Sequence, residues 1–118
     1  MTTPFKVKLT IYQGSTFRWH AVLKNGTPAV ATNLTGYTAR LQMRSEIGSS
    51  NVLANLTTSN GGITLGGALG TIDLYMSSAD TSLINWEDGV YDMEFVAPNG
   101  DVIRRMYGTV VVSPEVTR

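Results

Sequence analysis

Tyr37-Thr38-Ala39-Arg40-Leu41-Gln42-Met43-Arg44 alternates without a break, with Tyr37, Ala39, Leu41 and Met43 apolar and Thr38, Arg40, Gln42 and Arg44 polar. Successive side chains of an extended chain point to opposite faces, so this stretch predicts a strand with one face in a core and the other in water. The same period extends in both directions along the chain. Upstream, Phe5, Val7, Leu9 and Ile11 alternate with Lys6, Lys8, Thr10 and Tyr12, which predicts one half-buried strand over residues 5–12. Gln13-Gly14-Ser15 interrupts it, and Phe17, Trp19, Ala21 and Leu23 form the inward face of a second strand that ends at a tight Asn25-Gly26 hairpin turn. Thr27-Pro28 leads into a short edge strand reaching Leu34, since proline cannot donate to a ladder.

Downstream, Val52-Leu53-Ala54-Asn55-Leu56-Thr57 and Ile63-Thr64-Leu65 predict two shorter strands, with the glycine-rich stretch of residues 60–70 readable as loop, short hairpin or both. Ile72, Leu74 and Met76 alternate with Asp73 and Tyr75, and Tyr91, Met93 and Phe95 alternate with Asp92 and Glu94. Pro98-Asn99-Gly100-Asp101 is a hairpin signal leading into a long strand over residues 102–112, in which Gly108 marks a bulge or a close approach. Ser77-Ser78-Ala79-Asp80-Thr81 predicts a cap and a single helical turn through Leu83 and Ile84, because Ser and Asp side chains accept from the free amides at a helix start. No helix is long enough for a βαβ crossover. The expectation is an all-β fold, an antiparallel, immunoglobulin-like β-sandwich of about seven to eight strands with one short helical turn, formed by a single domain over residues 1–118.

Composition narrows the function classes. The chain has no cysteine, which removes disulfides, thiolate metal sites and thiol nucleophiles together. Nine Lys plus Arg balance nine Asp plus Glu, so the field of one sign that non-specific nucleic-acid or anionic-membrane binding needs is missing. No apolar run approaches the ~18 residues of a membrane span, and the start of the chain lacks a signal peptide's apolar stretch. The charges are nevertheless segregated: residues 1–45 carry six cations and no acid, and residues 46–118 carry nine acids against Arg104, Arg105 and Arg118. Either the halves interleave and pair across strands, or the subunit is polar and suited to head-to-tail contacts.

Candidate chemistry is sparse. His20 alternates with inward Trp19 and Ala21 and so faces outward, and no G-x-S-x-G or similar motif supplies it with a nucleophile. Asp92 and Glu94 share one strand face, where cross-strand Arg or Lys partners are the ordinary outcome rather than a glycosidase pair. Glu87-Asp88-Gly89 and Asn99-Gly100-Asp101 lack the ligand spacing of a calcium loop, and the glycines around residues 60–67 lack the Gly-Lys-Ser/Thr of a phosphate cradle. Asn-x-Ser/Thr triplets beginning at Asn25, Asn33 and Asn55 read as turn and strand composition. Arg104 and Arg105 point to opposite faces, and a buried member of the pair would need a carboxylate such as Asp92 or Glu94. No catalytic residue, metal site or cofactor is expected.

The order of motifs resembles a family of small β-sandwich virion proteins of tailed phages and prophages, including adaptor and collar proteins that join lateral tail fibres to the tail. The resemblance is carried by Tyr37-Thr38-Ala39-Arg40-Leu41-Gln42-Met43-Arg44-Ser45, Leu56-Thr57-Thr58-Ser59-Asn60-Gly61-Gly62-Ile63 and Ser77-Ser78-Ala79-Asp80-Thr81. It continues through Gly89-Val90-Tyr91-Asp92-Met93-Glu94-Phe95, Pro98-Asn99-Gly100-Asp101 and Gly108-Thr109-Val110-Val111-Val112-Ser113-Pro114-Glu115-Val116-Thr117-Arg118. The resemblance implies a non-enzymatic structural subunit of a virion assembled in the host bacterial cytoplasm. Its implied partners are copies of itself, as a homo-oligomer, and other tail, fibre or capsid proteins, with no nucleic acid and no membrane.

Three placements follow as expectations. The first is a tail-associated adaptor or collar, and the second is a head decoration protein that reinforces the capsid. The third is a carbohydrate-binding or adhesion module using Trp19, Trp86, Tyr12 and Tyr75 as stacking surfaces. Unpaired strand edges offer main-chain hydrogen bonds to a neighbour, so the expected interface lies at Phe5, Lys6, Lys8 and Tyr12 of the first strand and at Pro114, Glu115 and Arg118 of the tail.

Overall fold

Alternation at period two becomes two facing sheets in the computed structural model, which describes residues 4–117. In chain order the strands are β1 (Phe5–Lys6), β2 (Leu9–Tyr12), β3 (Phe17–Val22), β4 (Lys24–Asn25), β5 (Val30–Ala31), β6 (Thr38–Arg44), β7 (Val52–Thr57), β8 (Ile63–Leu65), β9 (Thr71–Met76), β10 (Asp88–Val96) and β11 (Val102–Ser113). A 3-10 turn, Gly67–Leu69, precedes β9, and a single-turn helix α1, Ser78–Ser82, follows it. The large sheet runs β1/β2-β11-β10-β6-β7, the small one β3-β9-β8, and β4 and β5 form a separate hairpin. The fold is an all-β sandwich. Three of the strands are only two residues long, which leaves eight of three residues or more among the described residues.

The core lies between the sheets and is made of the side chains that the alternation placed inward. Ala39, Leu41 and Met43 of β6, Tyr91, Met93 and Phe95 of β10, and Met106, Val110 and Val112 of β11 come from the large sheet. Phe17 of β3, Ile63 of β8 and Ile72, Leu74 and Met76 of β9 face them from the small one. One contiguous cluster of this kind, without disulfides, is what packing must supply to a cysteine-free domain. Ser77 Oγ accepts from the Asp80 amide at 3.1 Å and starts α1 as its residue type predicts. The buried Thr81 hydroxyl donates to the Ser15 carbonyl at 2.8 Å and accepts from the Gly14 amide at 3.1 Å, so α1 is pinned to the β2–β3 turn. Gln13, in the same turn, donates through Nε2 to the Ile84 carbonyl and accepts through Oε1 from the Glu115 amide, fastening the C-terminal tail.

Several sequence expectations need correction. The first strand is broken at Val7 and Lys8, and both halves run parallel to β11, so the ladder is not wholly antiparallel. The first and last strands are separated by nearly the whole chain, so no hairpin dictates their relative direction. The break itself has a partner: the Val7 carbonyl turns inward and accepts from the Tyr91 hydroxyl at 2.5 Å, while the Val7 amide donates to Tyr107 O at 2.9 Å. The β4–β5 connection is a four-residue loop, 26–29, with Gly26 at φ +87°, and Asn25 stays in the strand opposite Val30. The glycine-rich segment resolves into β8, the 3-10 turn and a hairpin onto β9.

Gly108 marks a close approach and not a bulge. A Cβ there would collide with the Val7 carbonyl, whereas the bulge in the β10–β11 ladder falls where Met93 pairs Met106 and Glu94 pairs Arg104. The extra residue is Arg105, so Arg105 and Met106 are buried in succession. Arg105, 8% exposed, lays its guanidinium over the Phe5 ring at 5.4 Å. Its burial disfavours the charged form and lowers its pKa. Asp92 and Glu94, expected as its partners, pair instead with Arg104 at 3.6 Å and Arg40 at 2.9 Å.

Burial also pushes the Tyr91 phenol well above its ordinary value. The folded state therefore keeps its proton at a pH where the unfolded chain, titrating near 10, has released it. The contribution is fully present below about pH 10 and is lost above it, by up to ~1.4 kcal/mol per pH unit. Tyr91→Phe is expected to destabilise the protein by about 1–2 kcal/mol at neutral pH, leaving the Val7 carbonyl without its donor, and to flatten that alkaline decline. Urea unfolding of both proteins between neutral and alkaline pH measures both effects.

Candidate docking edges

Both edges of the large sheet are open, and their chemistry differs. On one side lie β1 and β2, where the expected interface residues fall. Lys6, Lys8 and Pro114 are exposed, and Tyr12 is 61% exposed at the end of β2 beside Ser113. Phe5 packs against the core and under Arg105, and Glu115 is half-buried with its main-chain amide held by Gln13. Arg118 lies outside the described residues. Tyr12, Pro114 and Glu115 come together at one end of this edge, while Phe5 and Lys6 sit opposite Met106 and Tyr107 further along it. Two short strands, a break between them and two lysines are the devices that keep a sheet edge from pairing with strangers.

The other edge is β7, Val52-Leu53-Ala54-Asn55-Leu56-Thr57, six residues without charge or proline. Asn55 and Thr57 turn their main-chain groups away from β6. Asn60 fills the place of a neighbouring strand over that stretch: its Nδ2 donates to the Asn55 carbonyl at 3.0 Å, and its Oδ1 accepts from the Thr57 amide at 2.9 Å. The same Oδ1 accepts from Gly62, and the Asn60 amide donates to Thr57 Oγ1. Among the described residues no strand of the sheet lies beyond β7, and no side chain does for residues 52–54 what Asn60 does for residues 55–57. Asn60→Ala removes the three side-chain bonds and is expected to cost about 1–3 kcal/mol. Amide exchange resolved by residue should then speed up at Thr57 and Gly62 first.

A cleft of about 600 Å³ opens along β7. It is lined by residues 51–56 and, from other elements, by Tyr75, Asp80, Leu83 and Trp86. Leu83 is 80% exposed, an apolar residue that the helical turn holds at the rim. Asn51, Asn55 and Asn85 present exposed amides to the same space. Of the four aromatic residues expected as stacking surfaces, only Tyr75 and Trp86 line it; Trp19 packs against the core and Tyr12 is on the other edge. Which strand ends a sheet is a property of topology, so the β7 edge could not be found by alternation alone. Its lack of charge was the available signal.

The remaining sequence candidates fall elsewhere. His20 Nδ1 and Asp73 Oδ1 are 2.7 Å apart on the exposed face of the small sheet. Thr64 is the residue opposite Asp73 on β8, so the row across β3, β9 and β8 runs His20, Asp73, Thr64. A nucleophile, base and orienting acid would need the imidazole between the other two. Arg40–Glu94 joins a cation from the first half of the chain to an acid from the second, whereas Arg104–Asp92 lies within the second half. Exposed pairs of this type contribute about 0–1 kcal/mol. Among the described residues no group of three or more His, Cys, Asp or Glu is placed to hold a metal ion, and no helix is long and apolar enough to cross a membrane. The chain matches no protein-family model and no curated protein.

Proposed function

We propose that this protein is a non-enzymatic structural subunit of a tailed-phage particle, a tail-associated adaptor or collar that connects tail or baseplate to fibres through strand-edge docking. The observation that supports the reading is the pairing of one contiguous core with an uncharged strand edge whose first residues, 52–54, lie along a cleft beyond the part that Asn60 covers. A domain whose own sheets are complete has no internal use for that edge, and natural proteins normally cover or charge such edges. The resemblance of the motif order to small virion sandwiches supplies the setting: a homo-oligomer incorporated into the virion in the host bacterial cytoplasm. The same edge would serve a head decoration protein, which would occupy a lattice on the capsid in place of a ring on the tail. Mass spectrometry of particles purified from the encoding phage tests the proposal. The protein should be present in a fixed copy number relative to the tail proteins, and absence from the particles refutes it.

A further inference from the structure

We infer that the cleft along β7 is a strand-acceptor groove for an extended, basic segment of a neighbouring protein, an inference that rests on the structural-subunit reading and names its contact. Main-chain hydrogen bonds are the first component. In an antiparallel strand the N–H and C=O of one residue point to the same side, and the Asn55 carbonyl points into the groove toward Asn60. The Asn55 amide therefore faces the groove as well, next to residues 52–54, where no side chain occupies the place of a neighbouring strand. Asn60 already shows that this edge accepts a β-type partner, because its amide group makes the pair of bonds that an added strand would make.

Shape is the second component. The space is a groove lined also, from other elements, by Tyr75, Leu83 and Trp86, and not a flat edge. Such a groove takes one inserted strand, alternating its side chains between the amides of Asn51 and Asn55 and the apolar rim.

Charge chooses the occupant. Residues 45–103 contain eight acids and no lysine or arginine, so the groove's own segments supply no cation. Asp80 is the one charged residue lining it, and Glu87 and Asp88 follow Trp86 directly. Two cations adjoin its residues, each held on a neutral partner: the Arg18 guanidinium stacks on Tyr75 at 4.8 Å, and Arg44, opposite Val52 on β6, donates to the Ser49 carbonyl and to Gln42. A lysine- or arginine-bearing segment without acids is complementary to that rim, and an acidic one is repelled.

The test uses the full chain and two short synthetic peptides, one alternating valine and lysine, the other alternating valine and glutamate. Amide exchange at residues 52–55 should slow about tenfold with the basic peptide at about ten times its Kd, and remain unchanged with the acidic one. Asn55→Pro removes the outward donor, and Val52→Lys places a cation on the edge. Both variants should abolish the protection while leaving exchange in β10 and β11 as it was. Four results would overturn the inference: no peptide binds, both peptides bind equally, protection appears with protein concentration alone and marks a second copy as occupant, or a neutral oligosaccharide alters Trp86 fluorescence and blocks the peptide without protecting amides. None of these bears on whether the protein is present in virions, which is measured separately.

Discussion

Phe95→Ala is expected to destabilise the protein by about 3–5 kcal/mol, the largest loss from any single truncation in the core. Phe95 is 0% exposed near the C-terminal end of β10, an interior strand of the large sheet, and it faces the small sheet. Its ring meets Tyr37 edge-on, with centroids 6.1 Å apart and planes at 76°, so truncation removes an aromatic pair as well as buried area. No disulfide restrains the chain while the cavity is open. A melting-temperature drop of roughly 10–20 °C is the corresponding thermal effect. Phe95→Leu should recover more than half of the loss by refilling most of the volume. A drop under about 1 kcal/mol for Phe95→Ala would mean that the sandwich is not packed around this residue.

The second large effect is expected at Gly108. An added Cβ would collide with the carbonyl of Val7, and main-chain atoms cannot swing aside as the end of a side chain can. The Val7 carbonyl is also the acceptor for Tyr91, so displacing it breaks a buried hydrogen bond too. Gly108→Ala is therefore expected to cost about 3 kcal/mol, combining overpacking with that loss, and to detach β1 and β2 from β11. Hydrogen exchange resolved by residue would show fast amides over residues 5–12 and protected ones in β6 and β10. Uniformly faster exchange over the whole sheet would instead mean that the N-terminal edge is an inseparable part of the cooperative unit.

These two sites also show where sequence reasoning succeeded and where it stopped. Phe95 was legible as core, because Tyr91, Met93 and Phe95 alternate with polar residues and strand periodicity is a local property. The same holds for β6, β7 and β9, whose limits fall close to the alternating stretches, and for the Ser77 cap. Gly108 was legible only as a special position. Its cause is the passage of Val7, about a hundred residues away in sequence, and nothing local separates a close approach from a bulge. Arg105 carries the same lesson: the bulge that buries it depends on the register between β10 and β11, and one residue of slip changes which face a side chain occupies.

The interface expectations divided along the same line. Lys6, Lys8, Tyr12 and Pro114 are exposed, as polar alternation and a terminal proline predict. Phe5 and Glu115 are half-buried, and their contacts with Arg105 and Gln13 are long-range. The more open edge, β7, was read as an ordinary short strand. Its significance comes from having no strand beyond it, which depends on the order in which strands assemble. Lys6 of β1 and Lys8 in the break before β2 read as protection of one edge, whereas β7 carries no charge.

A cryo-EM reconstruction of the tailed-phage particle proposed above is the most direct test, because it shows whether this protein is present and what touches β7. The account predicts this sandwich in a ring at the tail, with a strand from an adjacent protein hydrogen-bonded along residues 52–55. A virion lacking the protein, or one in which β7 faces solvent in every copy, would contradict it.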